Sequence, residues 1–163
     1  MGVASIETLV DLKVRRTWQL DPKRVSFEDT KWSDGLAVLT TQIAKRLGCA
    51  GVDLDVHLYK FLLYEPGGHF AKHRDTEKHH RMFATLVVQL PSIHKGGELS
   101  VFKQDVESVY DFGQRTGQAS HACHCAVHYA DAEHAVKPIF EGYRLVLIYS
   151  ICWPTTAQEV HQF

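Results

Sequence analysis

The chain has 163 residues, of which 45% are hydrophobic and 23% charged, and this is enough apolar material for the core of one globular domain over residues 1–163. Lys and Arg number 18 against 19 Asp and Glu, so the formal net charge is -1. This charge balance provides no basic field, which argues against nucleic acid as a partner. No apolar run reaches the length of a transmembrane helix, so we expect no membrane partner either.

The cysteines and the first residues indicate a compartment. The four cysteines are too few and too scattered for a disulfide framework: Cys49, Cys123, Cys125 and Cys152. The opening MGVASIETLV has neither the basic segment nor the long apolar segment of a secretory signal. We therefore expect an intracellular protein, cytoplasmic or nuclear.

The first predicted element is a helix over residues 32–47, within an N-terminal helical support of about residues 1–50. Ser33 is the predicted N-cap, and Gly48 ends the helix. Four apolar residues recur on one face at spacings of three and four: Leu36, Leu39, Ile43 and Leu47. We expect this face to cover a sheet.

Short β-rich runs follow, separated by Gly and Pro turns, and they make a β core of about residues 53–153. The runs are DVHLYKFLLY, FATLVVQL, ELSVF, ACHCAVHY, HAVKPI and YRLVLIYSI. Many short strands with turns between them favour a sandwich or jelly roll over a βαβ fold. The predicted fold class is mainly β with flanking helices.

The densest group of metal-capable side chains lies in HFAKHRDTEKHHR, directly before the run FATLVVQL. His73 and Asp75 are two residues apart, so in an extended segment both side chains point to the same face. This pair can offer an imidazole and a carboxylate to one metal ion. A lone His-x-Asp pair is also typical of a surface loop with a salt bridge.

The later stretch HAVKPIFEGYRLVLIY adds His134 and Arg144. A turn at its centre predicts a hairpin between the strand of His134 and the strand of Arg144. Arg144 would then lie two residues along its strand, roughly 6.5 Å, from the residue opposite His134, with its side chain on the same face. The planar guanidinium of arginine matches a carboxylate. With His73 and Asp75, His134 completes two imidazoles and one carboxylate, the facial triad that leaves open positions on non-haem Fe(II).

The segments YEPGGHFAKHRDTEK, KGGELSVF and HAVKPIFEGYRLVLIY resemble the Fe(II)/2-oxoglutarate-dependent dioxygenases. The resemblance is to the prolyl-4-hydroxylase-like branch, including relatives with an HRDTEK-type iron motif, and covers about residues 59–149. It implies a double-stranded β-helix, a cupin-like jelly-roll barrel with its site in the open mouth. It also implies a hydroxylase that uses Fe(II) and converts 2-oxoglutarate and O2 to succinate and CO2.

The resemblance implies a role for individual residues. The implied iron ligands are His73, Asp75 and His134, and Arg144 is the implied partner of the distal carboxylate of 2-oxoglutarate. Tyr64, nine positions before His73, matches a tyrosine that hydrogen-bonds the co-substrate, although a core strand tyrosine would look the same. Thr85 can offer its hydroxyl to the same carboxylate, or it is a β-branched core residue.

The primary substrate does not follow from the resemblance. Prolyl hydroxylases often carry lysine where Arg144 stands, and here the charged segment TEKHHR follows the iron motif directly. A peptidyl residue is the expected target, with a small molecule as the other option. His79 and His80 are predicted to be solvated loop residues that could belong to a substrate lid.

Two alternatives to an oxygenase stay open, a cupin-type metal-binding protein and a non-catalytic binding module on the same fold. Cupins usually supply three histidines and a glutamate, so Asp75 and Arg144 count against the first. A separate zinc site at Cys123, His124 and Cys125 is disfavoured, because Cys-x-Cys without a second ligand pair falls short of structural zinc. We predict instead a strand with buried thiols.

Overall fold

Two antiparallel sheets, a two-stranded ribbon and one α-helix make up residues 7–8, 16–76 and 80–155, the part of the chain that the computed structural model describes. The strands are β1 (Glu7–Thr8), β2 (Thr17–Leu20), β3 (Asp55–Tyr64), β4 (Phe70–His73), β5 (Met82–Gln89), β6 (His94–Gly96), β7 (Leu99–Lys103), β8 (Val106–Tyr110), β9 (His124–Tyr129), β10 (Glu133–Val136), β11 (Ile139–Gly142) and β12 (Arg144–Cys152). The α-helix is α1 (Lys31–Arg46), and short 3-10 helices cover Pro22–Arg24 and Gln118–Ser120.

The larger sheet has the order β1-β2-β3-β12-β5-β9, and the smaller one the order β4-β10-β7-β8. The remaining two strands, β11 and β6, pair with each other. The fold is therefore mainly β, as predicted. β2 lies in the segment predicted as the N-terminal helical support and adds a strand to the larger sheet beside β3.

Helix α1 packs on the outer face of the larger sheet, as its apolar stripe predicts. It begins earlier than expected, and the prediction of Ser33 as N-cap is wrong because Ser33 lies inside the first turn. The reason is local: the carboxylate of Asp29 accepts a hydrogen bond from the backbone N–H of Lys31 at 2.9 Å. None of the described helices is long and apolar enough to cross a membrane.

Strand β5 is buried on both faces, which explains its continuous apolar sequence. Ala84, Leu86 and Val88 belong to the core under α1. Val87, on the opposite face, belongs to the second core, between the two sheets. Because side chains alternate along a strand, Thr85 and Gln89 also point into the space between the sheets.

The hairpin predicted between His134 and Arg144 is wrong. His134 lies on β10, which pairs with β4 and β7, whereas Arg144 lies on β12, which pairs with β3 and β5. The intervening β11 pairs with β6, so the chain crosses from the smaller sheet to the larger one. His134 and Arg144 therefore lie in different sheets, and both line the cavity between them.

The prediction of buried thiols near the start of β9 is also wrong, since Cys123 and Cys125 are exposed. Odd-numbered residues of β9 point away from the space between the sheets, and α1 covers them only in part. All four cysteines of the chain are free.

Candidate active site

The pairing of β4 with β10 brings the two predicted metal-binding histidines together. His73 and His134 are direct partners in this register, and their ring centroids are 4.3 Å apart. Asp75 follows the end of β4, and its backbone N–H donates to the carbonyl of Ala130 at 3.2 Å. The carboxylate is thereby held next to both rings, although β4 and β10 are some sixty residues apart in the chain.

The three side chains present their ligand atoms to one point. Asp75 Oδ1 lies 3.5 Å from His134 Nε2 and 3.9 Å from His73 Nε2, and all three ligand atoms lie within 4.8 Å of one another. The Nδ1 of each histidine bonds to a backbone carbonyl two residues earlier, that of Ala71 at 2.7 Å and that of Ala132 at 3.0 Å. Because Nδ1 therefore carries the hydrogen, each Nε2 can present a lone pair to a metal ion or, when the ring is protonated, a hydrogen to Asp75. This donor set fits a divalent metal ion with mixed nitrogen and oxygen ligands.

Hydrogen bonds keep Asp75 ionised. Burial alone would raise its pKa, but hydrogen bonds from His134 and Thr85 hold the pKa of this carboxyl well below its usual range. Burial alone would likewise lower the pKa of His134, but the hydrogen bond to Asp75 raises it above the usual value. Burial lowers the pKa of His73. An anionic carboxylate therefore faces two imidazoles, an arrangement that attracts a proton or a metal cation.

The hydroxyl of Thr85 donates to Asp75 Oδ2 at 2.6 Å, the carboxylate oxygen that faces away from the two histidines. Since the hydroxyl hydrogen is used there, Thr85 orients Asp75. A contact of Thr85 with a co-substrate stays a prediction, and it would use the acceptor lone pairs of the oxygen.

Arg144 opens β12 and is paired in register with Tyr64 on β3. Only 1% of Arg144 is exposed. Its Nε donates to Gln89 Oε1 at 2.9 Å, and its guanidinium lies over the rings of Tyr64, at 5.3 Å, and Phe112, at 4.9 Å. Its Nη2 is buried and has no hydrogen-bond partner among the described residues.

A buried guanidinium with an unused donor is costly, because an unpaired charge away from water loses its solvation. A carboxylate would satisfy Nη2 and neutralise the charge. Burial raises the pKa of Tyr64 to about 12, so this phenol keeps its proton at neutral pH and can act as a second donor. Gly97 allows the guanidinium this position, because a Cβ on that residue would lie 3.0 Å from Arg144 Cδ.

One cavity between the sheets joins the two clusters. All six residues predicted from the sequence line it: His73, Asp75, His134, Arg144, Tyr64 and Thr85. Its walls between the two ends are apolar, formed by Leu62, Val87, Leu99, Val136 and Val146. The cavity therefore offers metal donors at one end and a carboxylate-binding group at the other.

A second cavity, of ≈ 350 Å³, adjoins the first at His73 and Asp75. Tyr59 and Lys60 both line it, although they are consecutive residues of β3. The register with β12 shifts here, because Ile148 is opposite Lys60 whereas the next residue is opposite Leu58. This bulge directs two successive side chains to the cavity. Ser150 lines the same cavity, and its buried hydroxyl has no hydrogen-bond partner in the part of the chain that the structure describes.

Besides Tyr59, Lys60 and Ser150, three further residues near the site were not predicted to have a role: Gln89, Phe112 and His128. Gln89 could have been found, since it shares its strand face with Thr85. Side chains also alternate along β9, so His128 and Ala126 share a strand face. In the structure Ala126 packs in the core between the sheets and His128 lines the cavity there. Phe112 lies in a loop with a positive φ of 51°, and no sequence pattern indicates its position.

Among the described residues, the other predicted loop residues and the Cys-x-Cys segment are not members of the metal-binding cluster. Arg74 is exposed, as predicted, and approaches Glu133 at 4.0 Å. His80 is exposed in a turn, and His79 lies outside the described residues. Within the described ranges, Cys123, His124 and Cys125 are not part of a cluster of three or more metal-capable side chains, whereas His73, Asp75 and His134 form one.

Residues 59–151 match the family model of the 2OG-Fe(II) oxygenase superfamily, which agrees with the span of the resemblance found in the sequence. No curated protein matches the chain. Among solved structures, a Pseudomonas putida prolyl-4-hydroxylase shares 20% sequence identity at a TM-score of 0.60, over 91% of this chain and 78% of that one.

Two further prolyl hydroxylases are similar in structure. One is from Trichoplax adhaerens, in complex with a peptide fragment of the hypoxia inducible factor oxygen degradation domain, with 12% identity and a TM-score of 0.60 over 93% of this chain and 69% of that one. The other is the viral collagen prolyl hydroxylase of Paramecium Bursaria Chlorella virus-1, with 15% identity and a TM-score of 0.56 over 86% and 82%. At these identities the likeness shows the fold, and the predicted jelly roll is confirmed.

Proposed function

The chain belongs to the 2OG-Fe(II) oxygenase superfamily, and from this we propose that it hydroxylates a C–H bond of a peptidyl residue, with iron held by His73, Asp75 and His134. As a member it is an Fe(II)/2-oxoglutarate-dependent dioxygenase with 2-oxoglutarate and O2 as co-substrates. When bound, iron and 2-oxoglutarate supply the oxidising chemistry: one oxygen atom of O2 enters the substrate C–H bond and the other enters succinate, as 2-oxoglutarate loses CO2.

One observation carries the assignment of the residues: the three metal donors and the unpartnered Nη2 of Arg144 line the same cavity. A dicarboxylate needs this combination, because one end can chelate a metal ion while the other end requires a buried cation. Arg144 and the neutral hydroxyl of Tyr64 would hold the far carboxylate. Thr85 would keep Asp75 turned so that Oδ1 faces the metal.

The apolar walls of the cavity would also keep water from the reacting centre. Leu62, Val87 and Val146 are almost fully buried around the path between the two ends. Within such walls, the charge on Arg144 interacts more strongly with a carboxylate than it would in water. The cavity thus favours a ligand that carries its own negative charge.

A peptidyl substrate is supported by the second cavity, which lies beside the metal-binding atoms and has polar groups at its wall. A side chain entering it would meet Lys60, Tyr59 and Ser150 next to His73. One of the structurally similar prolyl hydroxylases is in complex with a peptide. A small molecule as primary substrate is the outcome to be separated from this by experiment.

The alternative of a cupin-type metal-binding protein gains one observation, because His128 adds a third imidazole to the cavity. That alternative leaves the buried Arg144 without an anion. The oxygenase accounts for both ends of the cavity, and for this reason we favour it.

The test is succinate production by the Fe(II)-loaded chain with 2-oxoglutarate in air, first alone and then with a peptide library. We expect slow succinate formation alone, faster formation with a subset of peptides, and a mass gain of one oxygen atom on those peptides. His73→Ala is the matched control and should form no succinate above background. Equal rates for wild type and His73→Ala would contradict the oxygenase, and stimulation by small molecules without any oxidised peptide would contradict the peptidyl substrate.

A further inference from the structure

His128 is brought to the metal-binding end of the cavity by the pairing of β9 with β5. In this register His128 is opposite Thr85, the residue that holds Asp75. The side chain of His128 is only 2% exposed, and it lines the same cavity as the three metal donors. It has no part in the facial triad.

The hydrogen bonding of His128 is that of a metal ligand. Its Nδ1 bonds to the backbone carbonyl of Tyr129 at 2.9 Å, so Nδ1 carries the hydrogen and the lone pair of Nε2 faces the cavity. His73 and His134 have the same arrangement. Nε2 of His128 lies 4.0 Å from Asp75 Oδ2, too far for a hydrogen bond. Two acceptors that face each other at this distance favour a cation between them.

The three imidazoles are evenly spaced. The ring of His134 is 4.2 Å from that of His128 and 4.3 Å from that of His73. The two carboxylate oxygens of Asp75 face different imidazoles. Oδ1 is nearest to His73 and His134, and Oδ2 is nearest to His128. A cation bound at Asp75 therefore has the imidazole of His128 within reach in addition to those of His73 and His134.

We propose that His128 is a fourth metal-facing donor, which binds nitrogen-preferring divalent ions such as Ni²⁺ and Cu²⁺ together with His73, Asp75 and His134. Imidazole suits these ions, whereas Mn²⁺ prefers carboxylate and water, so Mn²⁺ is held by the triad without His128. The inference rests on the proposed function in one respect, that His73, Asp75 and His134 are metal ligands. It adds a means by which the cavity discriminates between metal ions.

The experiment compares Ni²⁺ and Mn²⁺ affinities of wild type and His128→Phe by calorimetry. Phenylalanine keeps a ring against His134 and removes both nitrogens. We expect Ni²⁺ affinity to fall on the order of 10–100-fold, the usual effect of a lost partner at a metal site, and Mn²⁺ affinity to change by less than about threefold. His121→Phe, at an exposed position, is the matched control and should change neither affinity.

Two results would overturn the proposal: an unchanged Ni²⁺ affinity in His128→Phe, or equal losses for Ni²⁺ and Mn²⁺, which indicate a packing effect. A measurement on wild type alone covers the case in which the variant does not fold. The electron paramagnetic resonance spectrum of the Cu²⁺-loaded chain should show three coordinated imidazole nitrogens, and two would refute the fourth donor. Succinate formation by the Fe(II)-loaded wild type is independent of these readouts, so failure of the proposed function and failure of the His128 donor are distinguishable.

Discussion

The two ends of the cavity differ in exposure. At the metal end, the side chains of His73 and Asp75 are 36% and 21% exposed. At the far end, Arg144 is 1% exposed and Gln89 is fully buried. The metal end is open and its donors are already oriented by backbone carbonyls, whereas the far end is closed and lacks one partner for Arg144. This difference supports the proposal that ligands exchange at the metal end and that the co-substrate is selected at the far end.

The ends also differ in their structural support. The metal donors lie on β4, on β10 and in the loop after β4, at the smaller sheet. Arg144, Tyr64 and Gln89 lie on three adjacent strands of the larger sheet. Because the two groups rest on different sheets, we expect substitutions at one end to leave binding at the other end intact. The following predictions test this independence.

The largest effect is expected for Arg144→Met, which keeps an apolar stem and removes the guanidinium. Loss of a buried charged hydrogen-bond partner costs several kcal/mol, so KM for 2-oxoglutarate should rise roughly 100-fold or more. Mn²⁺ affinity should remain that of wild type. A variant with an unchanged KM would show that Arg144 does not hold the co-substrate, and a loss of Mn²⁺ affinity would show that the two ends are coupled.

Thr85→Val tests the metal end with a change of similar shape. The variant removes the hydroxyl that donates to Asp75 Oδ2 at 2.6 Å. Outer partners of metal ligands typically contribute 10–100-fold in metal affinity, and we expect a loss in this range for Mn²⁺. KM for 2-oxoglutarate at saturating metal should not change, and Thr85→Ser should restore metal affinity. A raised KM with normal metal affinity would support instead the contact between Thr85 and 2-oxoglutarate that the sequence predicts.

Metal affinity should depend on pH in the neutral range. The pKa of His134 is raised above its usual value by Asp75, so below that raised value His134 is protonated and cannot bind a metal. Affinity for Mn²⁺ should therefore fall as the pH is lowered, by about tenfold per unit for one competing proton. Binding of 2-oxoglutarate at saturating metal should be flat over the same range, because the pKa of Tyr64 is about 12 and Arg144 stays charged. An Mn²⁺ affinity that does not change between pH 8 and pH 6 would contradict this prediction.

The smallest effect is expected for Tyr64→Phe. The ring under the guanidinium is kept, and only the hydroxyl proposed to donate to 2-oxoglutarate is lost. One such bond contributes about 1 kcal/mol, which corresponds to roughly a fivefold rise in KM for 2-oxoglutarate. An unchanged KM would show that Tyr64 is only a core strand residue, which is the alternative that the sequence left open.

The sequence predicted the local features of the site well. The alternation in DVHLYKFLLY marks β3 with the bounds that the structure has, and the spacing of His73 and Asp75 places both at one metal-binding point. The first feature depends on the period of a strand and the second on a separation of two residues at the end of a strand, and both are properties of a few neighbouring residues. Family resemblance then joined His134 and Arg144 to the same site.

Features that depend on strand pairing were not predictable. The hairpin expected between His134 and Arg144 does not form, because β11 leaves to pair with β6 and the two residues end in different sheets. His128 was missed for the same reason, since its place beside Asp75 follows from the pairing of β9 with β5. Pairing between distant strands depends on how the whole chain packs, and a single sequence carries no local signal for it.

The central claim is that one cavity holds iron at one end and the far carboxylate of 2-oxoglutarate at the other. The most direct test is an anaerobic titration of the Fe(II)-loaded chain with 2-oxoglutarate. Chelation of iron by 2-oxoglutarate produces a visible charge-transfer band. The band should saturate in wild type, require roughly 100-fold more 2-oxoglutarate in Arg144→Met, and be absent in His73→Ala. A wild type without the band, or an Arg144→Met variant that saturates at the same concentration as wild type, would contradict the claim.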